Sequence, residues 1–189
     1  LLTLYFFYEL MTLTTLPLVM HAMDDRARAA GRKYLIYSVG GAACAFIALV
    51  FTIGHGAGAS FAMGGNLDAT AAAVPRNTLL TVYLLGFLGF GVKAAIFPFH
   101  GWLPSASVAP TPVTALLHAV AVVKGGVFAI IRLTYFVFGP ELLRGSWAQA
   151  TALILACVTI VYGSSRALAS RHLKLRFAWS TVAQLSYIL

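Results

Sequence analysis

Three ionisable side chains stand alone inside long apolar runs, and together they have the chemistry of a proton relay. Glu9 sits in LYFFYELMTLTTLPLV, with no other charge on that run. Lys93 sits in GFLGFGVKAAIFPFHGW and Lys124 in LLHAVAVVKGGVFAIIRL. Burial in low dielectric disfavours the charged form of a lysine, and a nearby carboxylate restores it. A change in the Glu9–Lys93 separation would let the lysine take or release a proton near neutral pH. His118 precedes Lys124 by six positions, which on a regular helix is roughly 9 Å along the axis and ~120° around it. An imidazole can pass protons to a nearby lysine, although a lone buried histidine can equally be a hydrogen-bonded structural residue.

Plainer roles compete at each position. Glu9 could lie near a helix end at the interface. Lys93 and Lys124 could snorkel, more easily for Lys93 than for a mid-run Lys124. Arg132 lies near the outer end of its run, where snorkelling is the expected behaviour. His100 and Trp102 flank a predicted helix break, with a structural or interfacial role ahead of cavity lining. The expected pathway is therefore Glu9, Lys93, His118 and Lys124, with His100 and Arg132 as accessory candidates. There is no Ser/His/Asp arrangement, phosphate loop or metal-ligand cluster, so no catalytic residue, cofactor or metal is expected.

The elements that must hold these groups follow from composition. Hydrophobic residues make up 60% of the chain and charged residues 10%, against a typical ~25% charged. That excludes disorder and leaves too little polar cover for a water-soluble globule. The net charge of +8 comes from bases scattered among apolar runs, not gathered on one solvated face as in a nucleic-acid binder. The class is an all-α, polytopic transmembrane helix bundle. A spanning helix needs ~20 mostly apolar residues, and the expected spans are about 1–20, 34–54, 78–108, 112–137, 148–165 and 177–189, in a single transmembrane domain. The third run is too long for one crossing and contains Gly86, Gly89, Gly91, Pro98, Gly101 and Pro104. It predicts a discontinuous helix with an unwound middle, tolerated at membrane depth only where protein or a watery cavity satisfies the backbone.

The linkers set orientation. Eight of the thirteen Lys and Arg residues fall in linkers 21–33 and 166–176. Four crossings separate the two, so they share a side, which the positive-inside rule makes cytoplasmic. Linker 55–77, rich in Gly and Ala, reads as a flexible external loop. Cys44 and Cys157 sit in apolar runs and read as small buried hydrophobes. The start on Leu1 and the apolar run at the other end predict an internal piece of a longer membrane protein, with the last helix truncated.

The stretch KAAIFPFHGWLPSASVAPTPVTALLHAVAVVKGGVFAIIRL resembles the signature of the antiporter-like subunits of respiratory complex I, of Mrp-type Na+/H+ antiporters and of membrane-bound hydrogenases. FYELMTLTTLPLVMH resembles the fifth helix of that family and LKLRFAWSTVAQLSYIL the start of its tenth. The resemblance covers nearly the whole chain, roughly helices five to ten of about fourteen. It implies half of an inverted-repeat ion translocator plus part of the second half. It implies that Glu9 is the helix-five glutamate, Lys93 the lysine at the broken seventh helix, and His118 and Lys124 the helix-eight pair found in some members. His172 stands where an acid is usual and Ser186 where a Gly is usual, which leaves the subtype open.

The expected function is proton, or cation/proton, translocation by one member of a multisubunit complex in a bacterial or archaeal cell membrane. Its partners would be other membrane subunits, the bilayer, H+ and, as an alternative coupling ion, Na+ or K+, and no nucleic acid. Any translocase activity would belong to the complex, NADH:quinone oxidoreductase-like or hydrogenase-like. The alternatives are a non-conducting scaffold and a haem- or quinone-binding membrane oxidoreductase subunit.

Overall fold

The computed structural model describes residues 1–55, 60–67 and 74–189. Every regular element among the described residues is helical. The chain runs α1 (Leu2–Val19), α2 (Asp25–His55) and α3 (Arg76–Lys93), then α4 (Trp102–Ala106) and α5 (Thr111–Ala115). It continues through α6 (Val122–Leu133), α7 (Pro140–Leu143), α8 (Trp147–Ala169) and α9 (Leu173–Ser186). Two π-helical turns, Leu116–Val120 and Thr134–Phe138, join α5 to α6 and extend α6, so that 111–138 forms one rod.

Among the described residues, four helices are long and apolar enough to cross a membrane: α1, α2, the 111–138 rod and α8. The sequence suggested six spans. α3 is only 18 residues long with Arg76 and Lys93 at its two ends, and α9 has 14 residues. Their outer faces show why the four suit lipid. Phe6, Phe7 and Leu13 on α1, and Leu153, Ile154 and Val161 on α8, are all exposed.

Helix bounds depart from the hydropathic ones where polar residues continue a helix. α2 begins at Asp25 rather than near residue 34. Asp24 starts it, its carboxylate accepting from Ala27 N at 2.6 Å. The 31 residues of α2 span about 46 Å, well beyond a ~30 Å hydrocarbon core. Most of the first basic linker is therefore the projecting start of a helix. Cys44 is half-buried and Cys157 exposed, which corrects the expectation that both are buried; Cys157 lies on the outward face of α8, where a helix packed on one side only leaves it open.

The predicted break is present. α3 stops at Lys93, and the chain resumes as a 3-10 turn at Phe99–Gly101 followed by α4. Between them Ala95 has φ 60° and the Phe97–Pro98 peptide is cis. Ala94, Ala95 and Ile96 are fully buried, so the unwound backbone must find partners within the protein. Val92 O accepts from the Trp102 indole at 2.7 Å and from Ala95 N at 3.1 Å. Phe97 N donates to Thr159 Oγ1 of α8 at 2.8 Å. Pro98 has no N–H to satisfy.

Small residues bring α2 and α3 together. A Cβ on Gly89 would lie 2.5 Å from Ala45 N, and one on Gly41 would lie 2.8 Å from Gly89 O, the close backbone approach that small residues permit between membrane helices. The two basic linkers lie at one end of the bundle, because both reach the C-terminal part of the broken helix. Lys33 Nζ donates to Ser105 Oγ at 3.1 Å, and Lys174 Nζ donates to Ala109 O at 3.0 Å. Of linker 55–77, residues 56–59 and 68–73 lie outside the described residues, and so does the flexibility expected of them. Its central part, 60–67, is docked rather than loose: Ala62, Gly64 and Asn66 N–H groups donate to Phe136, Tyr135 and Val137 carbonyls.

Candidate functional site

Lys93 is the last residue of α3, directly before the break, and its side chain is 0% exposed. Four elements enclose it. α3 supplies its backbone and α1 supplies its partners. The unwound segment follows it, and α6 closes over it at Gly126, where a Cβ would lie 2.5 Å from Ala94 N and 3.1 Å from Lys93 Cβ. Glycine is the residue that lets α6 lie against the break.

The ammonium group meets three groups on α1. Nζ lies 3.7 Å from Glu9 Oε1. It lies 3.4 Å from the centroid of the Tyr8 ring, a cation–π contact, and it donates a hydrogen bond to the Tyr8 carbonyl. Tyr8 is fixed in turn. Its hydroxyl donates to Gly89 O at 3.2 Å, and its ring meets Phe90 edge-on at 5.0 Å. Glu9 is less sheltered than its partner, with 28% of its side chain exposed. The pair is thus asymmetric: a fully enclosed cation and a carboxylate with one side open. Burying a charge this completely is costly unless a counter-charge stays close. Here the counter-charge is near but not in hydrogen-bonding contact, an arrangement whose strength a small movement of α1 against α3 would change.

His118 and Lys124 form a second station. His118 lies in the first π-helical turn and is 8% exposed, with the Leu103 backbone against its ring. Lys124 lies on α6 and is exposed, which corrects the expectation of a sheltered mid-span lysine. It is open because the face of the rod that carries it is only partly covered by α9. Both side chains line one groove of about 530 Å³ with Phe177, Ser180, Thr181 and Gln184 of α9. The regular-helix geometry used for their spacing does not apply, since Leu116–Val120 is π-helical and Ala121 departs from the α-helical conformation, at φ −108° and ψ −75°.

The accessory candidates are both held by aromatic rings. His100, nearly buried, packs against Phe97 at 5.6 Å, Tyr162 at 5.0 Å and Trp179 at 5.3 Å between ring centroids. Arg132 lies over the rings of Phe61, Phe128 and Phe136 at 5.4, 5.1 and 4.5 Å. Arg132 also lines a groove of about 380 Å³ between α1 and α6 that reaches Tyr8.

Sequence reasoning missed Tyr8, Gly126 and Thr159. Tyr8 neighbours Glu9 in the chain, but only the rotation of α1 reveals which of the two rests on the ammonium. Thr159 carries no sequence signal as the partner of a backbone N–H sixty-two positions away.

The arrangement has relatives. Over its full length the chain is 33% identical to a Na(+)/H(+) antiporter subunit of Alkalihalophilus pseudofirmus, covering 23% of that protein. It is 35% identical, across 98% of its length, to NADH-quinone oxidoreductase subunit N of Desulforudis audaxviator, covering 36% of it. The chain therefore spans roughly a quarter to a third of these curated relatives. Its fold matches the Mrp complex from Dietzia sp. DQ12-45-1b with a TM-score of 0.78 at 25% identity, over 97% of this chain and 19% of that one. The model of the transmembrane family of NADH:quinone oxidoreductases and Mrp antiporters matches residues 1–189, and the chain belongs to that family of antiporter-like integral membrane subunits.

Proposed function

We propose that the chain carries one proton half-channel of a multisubunit membrane complex, with Lys93 as its central carrier. Glu9 tunes Lys93 by distance. With the carboxylate close, the ammonium form is stabilised; with it withdrawn, the buried lysine gives up its proton. The proton then passes laterally across α6 toward His118 and Lys124, whose groove offers the next polar surroundings. The unwound segment after Lys93 is the element that opens or closes access from one side. The bound partners would be other membrane subunits. The energy would come from a redox reaction or from an opposing cation gradient, as the names of the relatives suggest for those proteins.

The observation that carries this reading is the fully buried Lys93 placed 3.7 Å from Glu9 at the foot of a helix break. A lysine kept only for stability would be better replaced by an apolar side chain of similar size. The test is proton transport by the intact complex in sealed vesicles. Lys93→Ala is expected to abolish transport, and Glu9→Gln to slow it by about tenfold or more. Wild-type transport by both variants would leave the chain a scaffold.

A further inference from the structure

The most unusual feature outside the ion pair is a set of buried hydroxyls between α1 and α2. The two helices run antiparallel, and cross-links fix their register. Tyr5 Oη donates to Ala42 O at 3.2 Å, and Thr15 Oγ1 lies 2.7 Å from Tyr34 Oη. Between these two ties, Thr12 on α1 faces Ser38 on α2. Thr12 is 1% exposed, Ser38 0% and Tyr34 0%. The Thr12 and Ser38 hydroxyls lie beside Tyr34 Oη without closing a hydrogen bond to it.

Three atoms of this region have no hydrogen-bond partner among the described residues: Glu9 Oε1, Thr12 Oγ1 and Ser38 Oγ. Glu9, Thr12 and Thr15 lie next to one another in turn along α1, three positions apart, in a row that winds about 120° around the helix from Glu9 to Thr15. Tyr34 and Ser38 are likewise neighbours on α2. A hydroxyl buried without a protein partner ordinarily binds water, and here several polar groups converge on one place. The set leads in one direction. From Glu9 it climbs about 9 Å along α1 to Thr15, toward the end of the bundle that holds the basic linkers. At that end the Tyr34 ring packs on Trp102, with centroids 5.1 Å apart, and the Trp102 indole is the group that holds the broken helix through Val92 O.

We infer that Thr12, Ser38, Thr15 and Tyr34 form a hydroxyl and water path that carries protons between Glu9 and the basic-linker end of the bundle. The inference rests on the proton half-channel reading and supplies its feed. The transfer is a hopping one. Each hydroxyl or water accepts a proton on an oxygen lone pair and releases its own to the next oxygen, ending unchanged. The net event is one proton arriving at the Glu9 carboxylate, which then hands it to neutral Lys93. Trp102 closes the far end of the path, so movement of the broken helix would control entry to it.

The test uses the intact complex in sealed vesicles, with initial proton flux as the readout. Thr12→Val keeps the shape of the side chain and removes its hydroxyl; Thr12→Ser keeps the hydroxyl. The Thr12→Val/Ser38→Ala double variant is expected to lose about tenfold in flux, the rate equivalent of roughly one hydrogen bond. It is also expected to change the H2O/D2O flux ratio, while Thr12→Ser stays near wild type. Tyr34→Phe, which opens no cavity, is expected to fall in the same direction. Wild-type flux in the double variant and in Tyr34→Phe, alongside a dead Lys93→Ala, would overturn the path and leave the half-channel standing. Equal losses in Thr12→Ser and Thr12→Val would also overturn it, by showing that packing rather than the hydroxyl matters. Wild-type flux in Lys93→Ala would remove the half-channel itself.

Discussion

A cation–π contact, a carbonyl and a carboxylate share the Lys93 ammonium, and they are not equivalent. Tyr8 stays with Lys93 because its hydroxyl and ring are fixed to Gly89 and Phe90. Glu9 is the adjustable partner, being partly open and not hydrogen-bonded. Removing one member of a buried pair leaves an uncompensated charge, whereas removing both does not. Glu9→Gln is therefore expected to destabilise the protein by about 1–3 kcal/mol, less than the loss from a fully enclosed pair, because Glu9 is partly open and the lysine can shed its proton. The Glu9→Gln/Lys93→Met double variant is expected to recover most of that loss. Thermal unfolding in detergent, read as a double-mutant cycle, checks this; strictly additive effects would mean the pair is uncoupled. Glu9 and Lys93 were recognisable in the sequence because an isolated charge in an apolar run is costly enough to need a reason. Lys124 looked the same by that criterion and is nonetheless exposed, because helical phase relative to neighbouring helices is not written in local hydropathy.

At the scale of elements, the break after Lys93 depends on a neighbour. Thr159 of α8 accepts from Phe97 N–H and itself donates to Leu155 O at 2.6 Å. Thr159→Val removes the acceptor while keeping the volume, orphaning a partly buried N–H at a cost of about 1 kcal/mol. Faster amide hydrogen exchange at 94–97 is expected, with Thr159→Ser restoring protection. Unchanged exchange in Thr159→Val would show that the break does not depend on Thr159. Gly126 sets the distance between α6 and the break. Gly126→Ala forces a Cβ into the Ala94 backbone, and overpacking of this kind costs about 1–3 kcal/mol. It should lower thermal stability and proton flux together, since the site it spreads apart is the one around Lys93. A flux decrease with undiminished stability would argue against a packing effect.

At the scale of the molecule, the bundle has two chemically different ends. Lys33 and Lys174 both hold the C-terminal part of the broken helix. At the other end Arg76 donates to the Leu142 carbonyl at 3.1 Å. With Cys44 and Cys157 replaced by Ala, single Arg28→Cys and Arg171→Cys variants are expected to react with a membrane-impermeant thiol reagent from the cytoplasmic side. Arg144→Cys is expected to react from the opposite side only; all three positions are exposed. Labelling of residues 28 and 171 from different sides would break the topology, and labelling of both from the outside would invert it.

The amino-acid order by itself determined the class, the position of the helix break and the two ion-pair residues. Each depends on local physics: apolar length, the missing N–H of Pro98 with its neighbouring glycines, and the cost of a lone charge in hydrocarbon. Tertiary structure alone decided which groups satisfy the break, which face of the 111–138 rod is open, and that Tyr8 rather than Glu9 makes the closest contact with Lys93. It also decided that the threonines of α1 meet Tyr34 and Ser38. Those outcomes depend on the rotation and register of helices far apart in the chain, which are set by close approaches such as Gly41 on Gly89 and Gly126 on Ala94, and no single segment carries that information.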